Sequence, residues 1–457
     1  MDGQAQIVPA FQDATELIRQ TLWVETGFDS DHDGKRDRMH VGVTRPRQTD
    51  TEQLKVPVIY ESSPYFAGTS GDTKFLWDVN QEVGAEPPPR RSQPPIEFRP
   101  TRENVSTSQV TTWVPRGFAV VHSDAPGTGL SQGCPTVGGD PEQLAPKAVI
   151  DWLNGRARGF TTAGGSEPVA ATWSTGKVGM IGTSYNGTIP LAAAVTRVEG
   201  LAAIVPIAPN TSYYHYYRSN GLVRHPFGWL GEDIDFLYDF VNSGDPARRD
   251  VCNRTYRDGE FVRGRDRRTG DYNDFWASRD LLPKVGHIKA AVLMAHAFND
   301  WNVVPEHSVR IYEALKGRVP LMAYFHQGGH GGAPPLELTN KWFTRFLYGV
   351  ENGIERGPRA WIVREPDAFA GPDDLVVRLE VEGQGVEAPG HERPASRPRV
   401  IVAACPERGV ILGIGPAARD EIERTNRPIH PGQDDQPDGK VRRRSVRRDA
   451  HGQPWRP

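Results

Sequence analysis

Over the first 365 residues, short apolar runs alternate with stretches of helical pattern, and that alternation constrains the fold more than any other feature. The runs are "KVPVIYESSPY" (55–65), "GFAVVHSDAPGTGLSQG" (117–133), "GKVGMIG" (176–182), "LAAIVPIAP" (201–209), "AVLMAHAFND" (291–300) and "PLMAYFHQGG" (320–329). Between and after them stand "APKAVIDWLNG", "GTIPLAAAVTRV", "EHSVRIYEAL" and "LTNKWFTRFLYG", which read as helices. Repeated strand–helix units predict an α/β fold with a mostly parallel sheet, whose functional groups gather at the strand C-terminal ends.

Two segments break the rhythm. Residues 66–112 are polar and proline-rich ("GAEPPPRRSQPPIEFRP"), which predicts a long excursion. Residues 211–280 are aromatic and partly helical, and a long insertion between two strands is a natural cap over the strand ends. The domain reading is therefore 1–210 and 281–365 for the two parts of the α/β unit, with 211–280 as the cap. Residues 366–457 begin as a β-like segment ("DDLVVRLEVEG") and end in a tail of disordered composition. The tail's arginine cluster reads as a solvated tail rather than a nucleic-acid patch.

The chain has 457 residues, 37 % of them hydrophobic, enough for a sizeable core. A net charge of −3 provides no global field for nucleic acid or an anionic membrane. No apolar run approaches the length of a membrane span. The N-terminus as it stands carries no secretory pattern, so a cytoplasmic location is expected unless a leader has been omitted. Cys134, Cys252 and Cys405 are too few for a disulfide scaffold and are not spaced as zinc ligands. A Cys134–Cys252 bridge would suit an exported protein, but three buried thiols are the expectation.

"GKVGMIGTSYNGT" places Ser184 between Gly182 and Gly187, where a strand gives way to a helix. A tight polar turn would use the same residues. So would a nucleophile elbow, which needs small neighbours because its serine sits on a sharp bend. A serine attacks only if a histidine takes its proton and a carboxylate fixes that histidine's tautomer. In chain order the acid candidate is Asp300, directly after one strand, and the histidine candidate is His330, directly after the last. His326 is expected to be packed, and Asp124 to shape its turn.

These motifs resemble the X-prolyl dipeptidyl-peptidases and related cocaine-esterase-like acyl hydrolases, serine peptidase family S15. The resemblance runs over about residues 15–365 and rests on "GKVGMIGTSYNGT", "HAFNDWNV" and "HQGGHGG" in order, with "SSPY" (62–65) and "GLVRHPFGWLGEDIDFLYDF" in support. It implies an α/β-hydrolase fold with a helical cap and a catalytic triad of Ser184, Asp300 and His330. The oxyanion hole would be the backbone N–H of Tyr185 and the phenol of Tyr65. It also implies an exopeptidase releasing Xaa-Pro dipeptides, with no cofactor and with peptides carrying proline at position 2 as partners; a homo-oligomer is left open. Glu232 would hold the substrate ammonium with Asn302 as its polar partner, a solvated acidic helix face being the competing reading. The proline slot would draw on Tyr213, Tyr214, Tyr217, Phe227 and Trp229. An esterase or α-amino-acid ester hydrolase would use the same triad, and a decayed hydrolase that only binds peptides sits badly with an intact one. Relatives usually end in a longer β-sandwich, so the C-terminal β region is expected to be truncated or frame-shifted.

"DSDHDGKRD" (29–37) copies the start of a calcium loop with Asp29, Asp31, Asp33 and Asp37. The closing Glu is missing, His40 standing in its place. The segment also lies between the strand-like "LWVETGF" and "MHVGVTR", so a polar hairpin turn is the expected reading and no metal is assigned.

Overall fold

A computed structural model describes residues 3–363 apart from 71–75, 81, 83, 90–91 and 227–229, together with 376–379. Its main strands are β1 (Ile18–Glu25), β2 (Arg38–Arg45), β3 (Val56–Ser63), β4 (Ala119–Asp124), β5 (Ser174–Thr183), β6 (Leu201–Ile207), β7 (Ala291–Ala297), β8 (Leu321–His326), β9 (Ala360–Val363) and β10 (Val376–Leu379). Across the sheet they run β10-β9-β8-β7-β6-β5-β3-β4-β2-β1, and the two-residue strands Gly159–Phe160 and Pro168–Val169 extend the far edge. From β4 through β9 all pairings are parallel, whereas β2 is antiparallel to both β1 and β4. This is the α/β-hydrolase order, as expected from the sequence.

Side-chain alternation along the strands makes two cores, one on each face of the sheet. In β3, Val58 and Tyr60 enter the first and Ile59 the second; in β7, Val292 and Met294 enter the first and Leu293 and Ala295 the second. The first core is covered by α1 (Asp140–Leu153), α2 (Tyr185–Val195) and α4 (Glu306–Leu315), and by the segment between β6 and β7, which includes α3 (Ile234–Val241). The second is covered by Trp113 and Phe118 and by α5 (Leu336–Phe343) with its continuation to Tyr348.

The two interruptions of the rhythm pack on one another. Trp77 Nε1 donates to Asp235 Oδ1 at 3.1 Å, Ser70 N–H to the Phe240 carbonyl at 2.9 Å, and Gln93 Nε2 to the Phe236 carbonyl at 3.0 Å. We propose that residues 211–280 form the cap. Of the segment expected at 366–457, all but β10 lies outside the described residues.

The cysteines correct the sequence reading. Cys134, in the loop after β4, is bonded to Cys252, in the helix Pro246–Cys252, across 118 residues of chain. Both are almost fully buried, and spacing alone could not reveal that the 246–252 helix folds back onto the β4 loop. Replacing both cysteines by serine should lower stability by about 2–4 kcal/mol, because the unfolded chain loses a long closed loop. Denaturant titration of the oxidised protein against the double variant measures it, and a shift under about 0.5 kcal/mol, the scatter of ordinary surface substitutions, would refute it.

Candidate active site

Ser184 is the hinge between β5 and α2, with φ 64° and ψ −126°. A non-glycine residue there carries roughly 1–3 kcal/mol of backbone strain. Its N–H donates to the Ile207 carbonyl at 2.9 Å, which pins the bend to the end of β6. The two glycines are required by close approach: a Cβ on Gly182 would lie 2.2 Å from the Asn186 carbonyl oxygen, and one on Gly187 2.5 Å from that of Ile207. The Gly187 and Thr188 N–H groups donate to the Ser184 carbonyl at 2.8 and 2.9 Å, so the serine stands at the N-terminus of α2, where the helix favours negative charge.

Asp300 and His330 meet as expected. His330 Nδ1–H donates to Asp300 Oδ2 at 2.7 Å. The other oxygen of Asp300 accepts backbone N–H bonds from Asn302 (3.0 Å) and Val303 (2.9 Å). His296 Nε2 also lies 3.2 Å from Asp300 Oδ2, while Ser308 Oγ is 2.6 Å from its Nδ1. Burial alone would raise the Asp300 pKa, but the hydrogen bonds from His296 and His330 outweigh it and hold the value down to about 2. Asp300 therefore stays ionised against a histidine whose side chain is 32 % exposed. The loop carrying His330 runs beside the elbow, since a Cβ on Gly331 would lie 3.8 Å from Thr183 Cγ2. His296 was not singled out in the sequence; its position four residues before Asp300 in "HAFND" was the available signal.

The two residues set aside hold other places. His326, the last residue of β8, accepts the Gly328 N–H at 3.1 Å and lies 3.1 Å from the Gly331 carbonyl, shaping the His330 loop. Asp124 is buried between His40 (2.8 Å) and Arg102, at its turn.

Tyr65 follows β3 on a turn fixed by its own N–H to Ser63 Oγ at 3.0 Å. Its phenol lies near enough to the Ser184 side chain for that hydroxyl to act on its pKa. Burial, with Glu232 and Glu142 nearby, pushes its pKa above the ordinary tyrosine value, so it remains a proton donor. Its ring meets Tyr185 edge-to-face at 6.0 Å and Phe240 at 6.2 Å. The Tyr185 hydroxyl is held by Glu142 of α1, which also accepts the Thr136 and Gly138 N–H groups.

The acidic run in the segment above the sheet is buried, not a solvated helix face: Glu232, Asp233 and Asp235 are at most 5 % exposed. Burial would raise the Asp233 pKa, but Arg218, Arg267 and Arg265 overcome it and hold the carboxylate ionised. Asp235 pairs with Arg265 and with the Trp77 indole. Glu232 differs. Among the described residues no basic side chain pairs with it, and its polar partner is the Tyr217 hydroxyl at 2.5 Å. Burial, helped by Asp233, raises its pKa to about 8 against the hydrogen bond from Tyr217. The Tyr216 ring, 4.6 Å from that of Tyr217, donates its hydroxyl to Asn302 Oδ1 at 3.0 Å, which links Glu232 to the Asp300 loop. Tyr213 is 2 % exposed and packed between the rings of Tyr185 and Tyr217. Tyr214 packs against Tyr272 and Trp276. Trp229 and Phe227 lie outside the described residues.

The loop at 29–37 closes as a turn between β1 and β2. Asp29 accepts the N–H groups of Asp33 (3.2 Å) and Gly34 (2.9 Å), Asp33 accepts that of Lys35 (2.8 Å), and Asp37 accepts from Ser30 N–H and Oγ. Asp29, Asp31 and Asp37 bring carboxylate oxygens within 4.8 Å of one another, and Asp33 stands apart. Burial and the neighbouring acids raise the Asp37 pKa to about 6.

Comparison with known proteins identifies the family. The family model described as X-Pro dipeptidyl-peptidase (S15 family) matches residues 33–332. A protein of Rhodopirellula baltica with a provisional Xaa-Pro dipeptidyl-peptidase name is 61 % identical over 413 residues, 89 % of this chain and 64 % of its own length. The Xaa-Pro dipeptidyl-peptidase of Lacticaseibacillus rhamnosus is 36 % identical over 75 % of this chain and 47 % of its own. The chain thus spans between about half and two thirds of these curated relatives. Among solved structures, an α-amino acid ester hydrolase superposes with a TM-score of 0.48 at 14 % identity, covering 79 % of this chain and 58 % of its own.

Asp300→Asn should leave the fold intact and lower kcat by about 10⁴-fold, because Asn favours the wrong imidazole tautomer. Steady-state kinetics beside a thermal melt checks this; turnover within tenfold of the parent would remove Asp300 from the triad.

Proposed function

Since the chain belongs to the X-Pro dipeptidyl-peptidase (S15) family, we propose that it is a serine exopeptidase releasing Xaa-Pro dipeptides from peptide N-termini. The observation carrying the reading is Glu232, a buried carboxylate without a cationic partner among the described residues, whose charge is felt by the Tyr65 phenol beside Ser184. A buried acid of that kind suits a substrate ammonium. An anchored ammonium sets which carbonyl reaches Ser184.

Ser184 Oγ attacks the carbonyl carbon of the second residue while His330 Nε2 takes its proton. Asp300 keeps the imidazole oriented and stabilises the imidazolium. The oxyanion receives the Tyr185 N–H and the Tyr65 phenol, donors of a kind worth about 3 kcal/mol each to the barrier. The tetrahedral species collapses as His330 returns the proton to the departing amine, and water then hydrolyses the dipeptidyl-enzyme by the same relay. An α-amino-acid ester also offers an ammonium and an acyl carbon, but one residue closer together, so the choice between peptide and ester lies in the spacing from Glu232 to Ser184 and in the leaving group.

The Cys134–Cys252 disulfide supports the exported alternative, because such bonds persist in oxidising compartments. No helix among the described residues is long and apolar enough to cross a membrane.

An Xaa-Pro anilide should be hydrolysed by the parent and not by Ser184→Ala; esterase activity with no anilide turnover would shift the reading to an ester hydrolase. Glu232→Gln should lose most kcat/KM on free-amine substrates and little on N-acylated esters, and equal losses on both would remove the ammonium role.

The pH dependence has a definite sign. Free Glu232 is protonated below about 8 and a bound ammonium favours its carboxylate, so binding releases a proton. Affinity for a free-amine substrate should therefore rise, by up to about tenfold per pH unit, as pH climbs towards that value. Isothermal titration in buffers of different ionisation heat reads the released proton directly. A binding event with no proton release at pH 7 would contradict it.

A further inference from the structure

Glu61 is a buried carboxylate that the mechanism above does not use. It lies in β3, four residues before Tyr65, and is 8 % exposed. Its two oxygens serve two parts of the site. Oε1 accepts from Asn186 Nδ2 at 3.0 Å, and Oε2 accepts from Ser108 Oγ at 2.8 Å. Ser108 Oγ also lies 2.9 Å from Nε2 of His122, a histidine that burial keeps neutral by lowering its pKa to about 4. Since the Ser108 proton is committed to Glu61, His122 Nε2–H donates to Ser108. The His122 ring meets Phe66, the residue after Tyr65, edge-to-face at 5.5 Å.

The carboxylate therefore stands between the two halves of the oxyanion hole. On one side, β3 leads directly into Tyr65, and the His122–Phe66 contact braces that turn. On the other, Asn186 is the residue after Tyr185, whose N–H is the second donor. Asn186 is also the residue for which Gly182 must lack a Cβ, so its backbone has little room to move. Hydrogen bonds to a buried carboxylate are stronger than those between neutral groups, which makes this a stiff link. Oxyanion donors act only within about 2.7–3.1 Å of the developing charge, and a displacement of about 1 Å can cost roughly 100-fold in rate.

We propose that Glu61 is a positioning residue that sets the spacing between the Tyr185 N–H and the Tyr65 phenol by holding Asn186 against β3. The proposal rests on the reading that those two donors bind the oxyanion, and it applies equally to peptide and ester substrates.

The test compares Glu61→Ala, Glu61→Gln, Asn186→Ala and the Glu61→Ala/Asn186→Ala double variant with the parent full chain. Glu61→Ala and Asn186→Ala should each lower kcat on a chromogenic ester by about 10- to 100-fold at nearly unchanged KM. The double variant should lose no more than the worse single one, because both remove the same bond. Glu61→Gln keeps an acceptor for Asn186 and should stay within a few-fold of the parent. Affinity for a peptide boronic acid, which mimics the tetrahedral adduct, should fall in step with kcat, while affinity for a product dipeptide should not. A merely structural Glu61 would weaken boronate and dipeptide together; that result, additive losses, or unchanged kcat in Glu61→Ala overturns the proposal.

Failure of the peptidase reading shows itself separately. If the parent cleaves esters but no Xaa-Pro substrate, the specificity falls and the Glu61 series is read on the ester. If the parent neither turns over an ester nor forms a fluorophosphonate adduct at Ser184, the oxyanion site and the proposal fall together.

Discussion

Ser184 holds a backbone conformation that an L-residue adopts only under compulsion, and the surrounding structure supplies it. The bend is clamped from below by the Ile207 carbonyl, and the two flanking glycines let Asn186 and β6 come close enough to hold it. Everything else in the site is arranged around that fixed point. Parallel β5 and β6 bring the strand ends into line, α2 starts at the bend, and the β7 and β8 loops deliver Asp300 and His330 from the neighbouring positions. The strain at one residue is sustained by a sheet whose two faces are both packed.

The segment above the sheet shows how burial and charge pairing sort chemically similar residues into different roles. Asp233 and Asp235 differ from Glu232 in sequence only by position, yet arginines neutralise the first two and not the third. Those arginines come from 218, 265 and 267, residues that the chain brings together only by folding the insertion back on itself. Trp77, from the proline-rich excursion, closes the same cluster, with the Arg265 and Arg267 guanidinium groups over its ring. The excursion and the insertion are thus one structural unit built from two distant stretches of chain, and the disulfide fastens that unit to the β4 loop.

In the sequence, the hydrophobic alternation determined the layer architecture, because a strand's period of two and a helix's apolar face are local properties of the chain. The small residues around Ser184 determined the bend for the same reason, and Asp300 and His330 could be singled out as candidates, which the structure brings together, because each directly follows a recognisable strand. Other features were set by contacts across long stretches of chain, which no local pattern records. The Cys134–Cys252 bond depends on where a helix lands, and for the acidic run "GEDID" a solvated face competes with an ammonium-binding Glu232 until the run is seen buried with three arginines converging on it. Tyr213 is a slot candidate by residue type, and its packing between the rings of Tyr185 and Tyr217 was set only by tertiary contacts. His296 reaches Asp300 from four residues away, a local spacing that "HAFND" already carried, whereas Glu61 sits in a plain strand pattern and only the tertiary structure decided that it faces Asn186, because the neighbours of β3 in a parallel sheet are fixed by strand order and not by chain order.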